Sequence, residues 1–507
     1  MEYLLGIDIG TSGTKTVLFD TLGNTVASDL SEYPMYQPHS GWAEQDPEDW
    51  WRAVYTTVNN VILKSGIASS DIKGIGLSGQ MHGAVLLDKE DRVLRKAIIW
   101  CDQRTSRECD QITSLVGKER LITITANPAL TGFTASKILW VRNNEPEIFD
   151  KVRKILLPKD YIRLMLTGEF ATEVSDASGM QLMDIPARKW SGEVLDKLGL
   201  DRELLAGMYE SQEVSGKVSG SAAALTGLKE GTPVVGGAGD QAAGAVGNGI
   251  VKSGVISSTI GSSGVVFAYM DKVSIDPKGR VHTFCHAVPN TWHIMGVTQG
   301  AGLSLKWYRD NFCIEEKRTA ELMGIDPYVL MDREAEKVAA GSEGLLYLPY
   351  LMGERTPHLD PNARGVFFGI SARHEKPSFI RAIMEGVAYS LKDCLEIIKE
   401  MGVDIIEVRA SGGGGKSSLW RQMQADAFGT DITTINSSEG PALGVAILAG
   451  VGTGIYDSVA QACDAVISVK SRQAANMELN SVYCKYYKLY GSIYSSLKGN
   501  FAELSKL

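Results

Sequence analysis

The chain reads as an α/β protein of two similar lobes with a nucleotide cleft between them. Three observations predict this. Residues 4–18, LLGIDIGTSGTKTVL, set two apolar strand-like runs around a loop rich in Gly and hydroxyls. The pattern returns as STIGSSGVVF at residues 258–267, and aligning Gly10 with Gly261 divides the 507 residues into nearly equal halves, as an internal duplication would. Each half then alternates β-runs with helical patterns, the arrangement of layered α/β domains.

The first hairpin has Asp8 at the end of one run and Lys15 at the start of the next, with Gly10, Thr11, Ser12, Gly13 and Thr14 between them. Such a loop exposes backbone N–H groups and small donors, which suits a polyphosphate. Asp8 suits a hydrated Mg²⁺, because a hard cation prefers oxygen ligands and keeps its waters. An ordinary turn uses the same residues; the second copy, half a chain away, tips the reading towards phosphate. A third strand fits residues 25–30. A helix opens at Asp46, with Pro47 in its first position and Trp50, Trp51, Val54 and Val58 along it.

Residues 72–78 form an apolar strand that ends in Gly79-Gln80-Met81-His82-Gly83. Gln and His supply donors and acceptors and Met an apolar wall, a combination suited to a small polyol or sugar, although a lone His after a strand also serves structure. A hairpin is expected from 84–88 and 93–94, and helices over 106–116, 134–143 and 159–166. A strand at 233–237 runs into GGAGDQAAG at 236–244, delivering Asp240 to a helix start of small residues. A cap explains an Asp there; the four glycines and three alanines around it point to close approach of a ligand.

In the second half, β-runs at 281–284 and 292–297 precede a helix from Ala301. A long helix fits 378–401, then a strand at 405–410, a Gly loop from Gly412 to Gly415, helices at 418–428 and 441–449, and a helical tail from 458. Strand, Gly loop and helix together let a base or phosphate lie against backbone, with Gly413 and Gly414 at the turn. The spacing is not that of a phosphate loop, because position 410 is Ala. His282, His286 and His293 lack a clear metal-ligand geometry.

Net charge of −9 argues against nucleic-acid or anionic-membrane partners, while leaving room for ATP in a site with its own local cations. The seven cysteines are scattered and form no Cys-x-x-Cys pair, which argues against a disulfide framework or a zinc site. With no signal-length or membrane-length apolar run, a cytoplasmic enzyme is expected.

From Met1 to about residue 455 the chain resembles the FGGY carbohydrate kinases, and within them the xylulokinase branch. One signature reads GFTASKILWVRNN at 132–144; a second starts as GVFFGI at 365–370 and ends as RAIMEG at 381–386, departing at Ser378, where an acidic or amide residue is usual. Ser378 is expected to open a helix. The branch is marked by Gln80-Met81-His82-Gly83, where glycerol kinases carry Asn-Gln-Arg-Glu over positions 79–82, by WCDQRT at 100–105, by LPKDY at 157–161 and by GERTPH at 353–358.

The resemblance implies two actin/hexokinase-type, ribonuclease H-like lobes, 1–250 and 251–507, each a mixed five-stranded sheet flanked by helices. It also implies ATP-dependent phosphorylation of D-xylulose to D-xylulose 5-phosphate, feeding the pentose phosphate pathway. Asp240 would be the base and Asp8 would hold Mg²⁺ through water. Gln80, Met81, His82, Arg104, Asp240 and Gln241 would bind sugar. Gly10, Thr11, Ser12, Lys15, Gly261 and Ser262 would take the phosphates, and Gly413 and Gly414 the base of ATP. Ser262 stands where Thr is frequent and Gln241 where some relatives have Asn. A homodimer is implied as well. The alternatives are a kinase for ribulose, another ketopentose or a polyol, and a sugar-independent ATPase of the actin or Hsp70 kind.

Overall fold

The computed structural model describes the whole chain, Met1–Leu507. The first sheet holds β1 (Tyr3–Ile9), β2 (Gly13–Asp20), β3 (Thr25–Glu32), β4 (Ile72–Gly79), β5 (Val214–Lys217), β6 (Pro233–Val235) and β7 (Ala238–Gly239). Its order is β5-β6-β4-β1-β2-β3, with β7 beside β4. The second holds β8 (Gly254–Ile260), β9 (Gly264–Met270), β10 (His282–Cys285), β11 (Trp292–Thr298), β12 (Ile405–Ser411), β13 (Ile432–Ile435) and β14 (Val469–Gln473), in the order β10-β11-β9-β8-β12-β13-β14.

The two orders share a five-stranded centre. In the first lobe β1 is antiparallel to β2 and parallel to β4, and β3 and β6 flank them. In the second, β8 takes the place of β1, with β9 antiparallel, β12 parallel and β11 and β13 outside. The duplication seen in sequence is thus a repeat of strand order and polarity, with each five-stranded sheet extended to seven.

Eight helices bear on the site: α1 (Pro47–Ser65), α2 (Thr134–Asn144), α3 (Asp240–Gly247), α4 (Ala301–Phe312), α5 (Lys376–Glu400), α6 (Ser418–Phe428), α7 (Gly440–Gly452) and α8 (Met477–Leu504). Asp46 caps α1 by accepting from Glu48 N, and Gly66 ends it at φ 67°. The helix packs Trp50, Trp51, Val54 and Val58 with Leu5, Ile7, Leu18, Ile75 and Leu77 of the sheet. Helix α7 covers the other face of β1 and β4 although it comes from the second half of the chain. The lobe boundary near residue 250 is therefore crossed by this return of the chain.

Glycines make that crossing fit. A β-carbon at Gly6 would overlap the carbonyl of Ala442, one at Gly76 that of Val445, and one at Gly444 that of Ala243. Part of the small-residue run after Asp240 is thus explained by backbone-to-backbone packing of α3 on α7 rather than by a ligand.

Other expectations are corrected in detail. Strand Val85–Leu87 pairs with Lys154–Leu156 as well as with the expected return at 93–94, where Leu94 N donates to Leu86 O and Asp88 N to Arg92 O. Helix α5 starts at Lys376, so Ser378 lies inside its first turn and donates to Glu343 instead of capping. The tail is not wholly helical, since β14 adds an edge strand before α8. No helix is long and apolar enough to cross a membrane.

Candidate active site

The ends of β1, β4 and β7 meet at one place, because Asp8 is paired with Ser78 and Gly239 with Gly79. Asp8 accepts a 2.8 Å hydrogen bond from Ser78 Oγ. Burial raises its carboxyl, against the pull of Ser78 and of Lys15 across the ladder. Lys15 Nζ lies 2.5 Å from Glu439, the residue before α7. The first hairpin is braced from behind: Gln45 Nε2 donates to Thr11 O at 2.7 Å, and Trp100 Nε1 to Thr11 Oγ1 at 2.9 Å. The second hairpin is braced by α4, whose Gly302 and Leu303 amides donate to the carbonyls of Gly261 and Ser262.

Asp240 opens α3 directly after β7. Desolvation in the cleft, with the charge of Asp8 added, pushes its carboxyl up to about 7, against hydrogen bonds from Gln241. Beneath it lies a buried ionic cluster. Gly239 N donates to Ser175 Oγ, which donates to Glu173. Lys159 Nζ stands 2.9 Å from Asp160 and 3.5 Å from both Glu173 and Asp176. Such a cluster contributes little net stability but fixes geometry, since removing one partner strands the others.

His82 has a left-handed backbone, φ 69°. Its carbonyl accepts from Lys137 Nζ at 2.7 Å and Thr134 Oγ1 at 3.1 Å, both in the first turn of α2. Its Nδ1 is 2.9 Å from Gly179 O, an acceptor only, so Nδ1 carries the hydrogen and Nε2 keeps a lone pair. Burial, with Lys137 nearby, holds the ring well below its usual pKa and hence neutral. The ring lies 4.8 Å from Phe133 and 6.2 Å from Phe284. Met81 packs on Gly239, where any side chain would collide with it.

Two residues expected at the sugar have other partners, although Gln80 keeps its Oε1 without one. Gln80 donates to Gln45 at 2.7 Å and is buried, bracing the hairpin. Arg104 binds Asp102 and Glu44 and lies 3.6 Å from the Trp42 ring centroid. His282, His286 and His293 enter the aromatic core; His282 bonds Asn127 and His286 the carbonyl of Ile250.

Two cavities adjoin at Lys416, and Asp240 lines the first. One of about 520 Å³ is lined by Asp240, Gln241, Thr259, Val265, Ser411 and Gly440. The other, about 530 Å³, is lined by Gly261, Ser262, Tyr328, Gly413, Gly414 and Trp420. Lys416 borders both. Gly10, Thr11, Ser12 and Lys15 line neither. Lys416, Trp100, Lys137, Glu439 and the Lys159 cluster were not singled out from sequence. A local signal existed for the cluster alone: Lys159, Asp160 and Arg163 are charges on a short helix whose apolar residues surround them on every side.

No three His, Cys, Asp or Glu side chains converge as a metal cage. A Mg²⁺ that arrives with a nucleotide needs only one or two carboxylates and its own waters, and Asp8 with Asp240 fit that requirement.

The family models named FGGY family of carbohydrate kinases, N-terminal domain and C-terminal domain, match residues 3–247 and 256–453. The chain is 39% identical over 498 residues to a xylulose kinase of Bacillus subtilis, covering 98% of each chain. It is 41% identical over 448 residues to a xylulose kinase of Escherichia coli, covering 88% of this chain and 89% of that one. A crystal structure described as a xyloylose kinase from Brucella ovis superposes with a TM-score of 0.90 at 38% identity, covering 98% of this chain and 100% of that one.

Proposed function

Since the chain belongs to the FGGY family of carbohydrate kinases, enzymes that phosphorylate sugars from ATP, we propose that its acceptor is D-xylulose and its product D-xylulose 5-phosphate. One observation carries this reading: Met81, the neighbour of His82, packs on Gly239, the residue before Asp240, so one end of the cleft holds a raised carboxyl, an apolar wall and a neutral imidazole with a free lone pair. The two xylulose kinase relatives support the choice of sugar.

His82 Nε2 accepts from a sugar hydroxyl and Met81 packs on the carbon chain. Asp240 accepts the proton of the attacking hydroxyl; a carboxylate ionising near neutrality is well matched to that task. Phosphoryl transfer needs alignment and charge stabilisation more than strong deprotonation. The Ser262 hairpin and Lys416 hold ATP from the second lobe, with Gly413 and Gly414 against its base, while Gly10, Thr11, Ser12 and Lys15 approach from the first. Asp8 would anchor Mg²⁺ through water, and the ion would supply neutralisation of the phosphate charge. Gln80 and Arg104 act as braces behind the sugar rather than as contacts to it. A closed cleft keeps water from the γ-phosphate.

The test is ADP release from Mg-ATP with D-xylulose, D- and L-ribulose, glycerol and gluconate, and with no sugar. Turnover strongly dependent on D-xylulose is expected. Turnover on another sugar instead would keep the mechanism and reject the substrate; ADP release indifferent to sugar would favour the ATPase alternative.

A further inference from the structure

Arg355 is a cation without a partner. Arg355 belongs to the loop after the second-lobe strand Leu346–Leu348, and the backbone around it is held firmly. Glu354 accepts from Thr298 Oγ1 at 2.6 Å, Gln299 N at 2.9 Å and Arg355 N at 2.7 Å. Thr356 N donates to Val297 O at 2.9 Å, and Thr356 Oγ1 donates to Arg280 O at 2.8 Å. The loop is thus tied to the end of β11 on both sides of Arg355, and Glu354, the nearest acid in sequence, is occupied elsewhere.

The guanidinium itself makes no hydrogen bond or ion pair, and the residue is only partly exposed. Most arginines of comparable burial in this protein, such as Arg95, Arg104, Arg188 and Arg409, are paired with carboxylates. A half-buried cation left without an acceptor is costly unless a ligand provides one. Its charge is felt by both His82 and His282, helping to keep each imidazole neutral. The neighbouring Thr356 exchanges hydrogen bonds with Val297, which pairs with Val265 on the wall of the Asp240 cavity and packs in one cluster with Phe133, so the loop that carries Arg355 stands at the sugar end of the cleft, on the lobe opposite Met81 and His82.

The geometry points to Arg355 as a sugar-binding residue supplied by the second lobe, donating from its guanidinium to the carbonyl oxygen of the ketose while His82 accepts from a neighbouring hydroxyl. The inference rests on the ketopentose reading above. The chemistry selects the carbonyl because guanidinium only donates and a carbonyl oxygen only accepts. A polyol offers a hydroxyl at the same carbon, and its hydrogen then needs an acceptor that a cation cannot give. His82 serves both ligands equally; Arg355 favours the ketose.

The experiment compares wild type with Arg355→Met and Arg355→Gln, using D-xylulose as substrate and xylitol, its reduced form, as competitor. In Arg355→Met the KM for D-xylulose should rise about 10- to 100-fold, the loss expected for a hydrogen bond from a charged donor. The KM for ATP and the inhibition constant of xylitol should stay near wild type, and Arg355→Gln, which keeps a donor without charge, should fall between. An unchanged KM for D-xylulose, or a xylitol constant that rises in step with it, overturns the assignment. Should the Met variant fail to melt cooperatively, the Gln variant carries the same comparison. Wild-type enzyme that does not turn over D-xylulose rejects the substrate reading itself; wild-type turnover with unaltered variants rejects only the role of Arg355.

Discussion

Replacing Asp240 with Asn should make the protein more stable as it removes activity, and the gain should depend on pH. A free Asp carboxyl ionises near 3.8, whereas desolvation and the neighbouring Asp8 hold Asp240 near about 7. From roughly pH 4 upward the unfolded chain gives up a proton that the folded protein must keep, so Asp240 opposes folding more as pH rises. The opposition levels off above about pH 7, where both states are ionised. At about 1.4 kcal/mol per tenfold, the cost is about 2 kcal/mol at pH 5 and about 4 kcal/mol at pH 8. Asn has nearly the same shape and no charge, so the variant escapes this cost. Thermal melts of both proteins at the two pH values test it: the variant should melt higher, with a gap at pH 8 about twice that at pH 5. Turnover should fall about 10²- to 10⁴-fold, as for loss of a general base. A gap that does not widen with pH, or a variant that melts lower, would refute the claim that the site strains this carboxylate.

Three further outcomes are expected. His82→Ala should raise the KM for sugar far more than that for ATP while leaving the shape of its pH profile unchanged, since the ring is already neutral and the ionisation near 7 belongs to Asp240; equal rises in both KM values would mean a general folding defect. Lys137→Met should raise the sugar KM about tenfold by freeing the His82 carbonyl, and an unchanged sugar KM would show that Thr134 alone holds the loop. Gly444→Ala should lower the melting temperature sharply, because its new carbon meets the Ala243 carbonyl, whereas Gly491→Ala, with open space around it in α8, should stabilise by about 1 kcal/mol; equal effects in the two would remove the packing argument.

The parts of the fold that were legible were those with a local periodic signal. The Asp8–Lys15 hairpin, α1 with its Pro47 start, and helix Ser106–Val116 follow from spacing and caps, and the Gly10–Gly261 alignment anticipated a repeat of strand polarity. Strands β5 and β14 escaped because VSGK and VKSRQ are short, polar edge segments whose pairing comes from the neighbour they join. In the site, Asp240, Met81 and His82 stood out because each ends an apolar run. Arg355 and Glu439 gave no such signal in the residue pattern, since each matters only through what the opposite lobe brings to it. The partners of Gln80 and Arg104 were not legible for the converse reason: motif position cannot tell a side chain facing the cleft from one facing Gln45 or Asp102.

The meeting of α3 and α7 has a mechanical consequence. Side-chain ridges set into grooves hold two helices at a chosen angle, and turning one against the other means lifting ridges over ridges. At Gly247 and Gly444 there is no ridge to lift: a β-carbon on either would meet the other helix's backbone, the carbonyl of Gly440 or of Ala243. A crossing of this kind resists rolling less than interlocked ridges do, and it has Asp240 at the start of one helix and Glu439, holding Lys15, beside the start of the other. A slight roll there swings the far rims of both lobes through a long arc, so a large change in the cleft mouth asks for almost no repacking at its pivot.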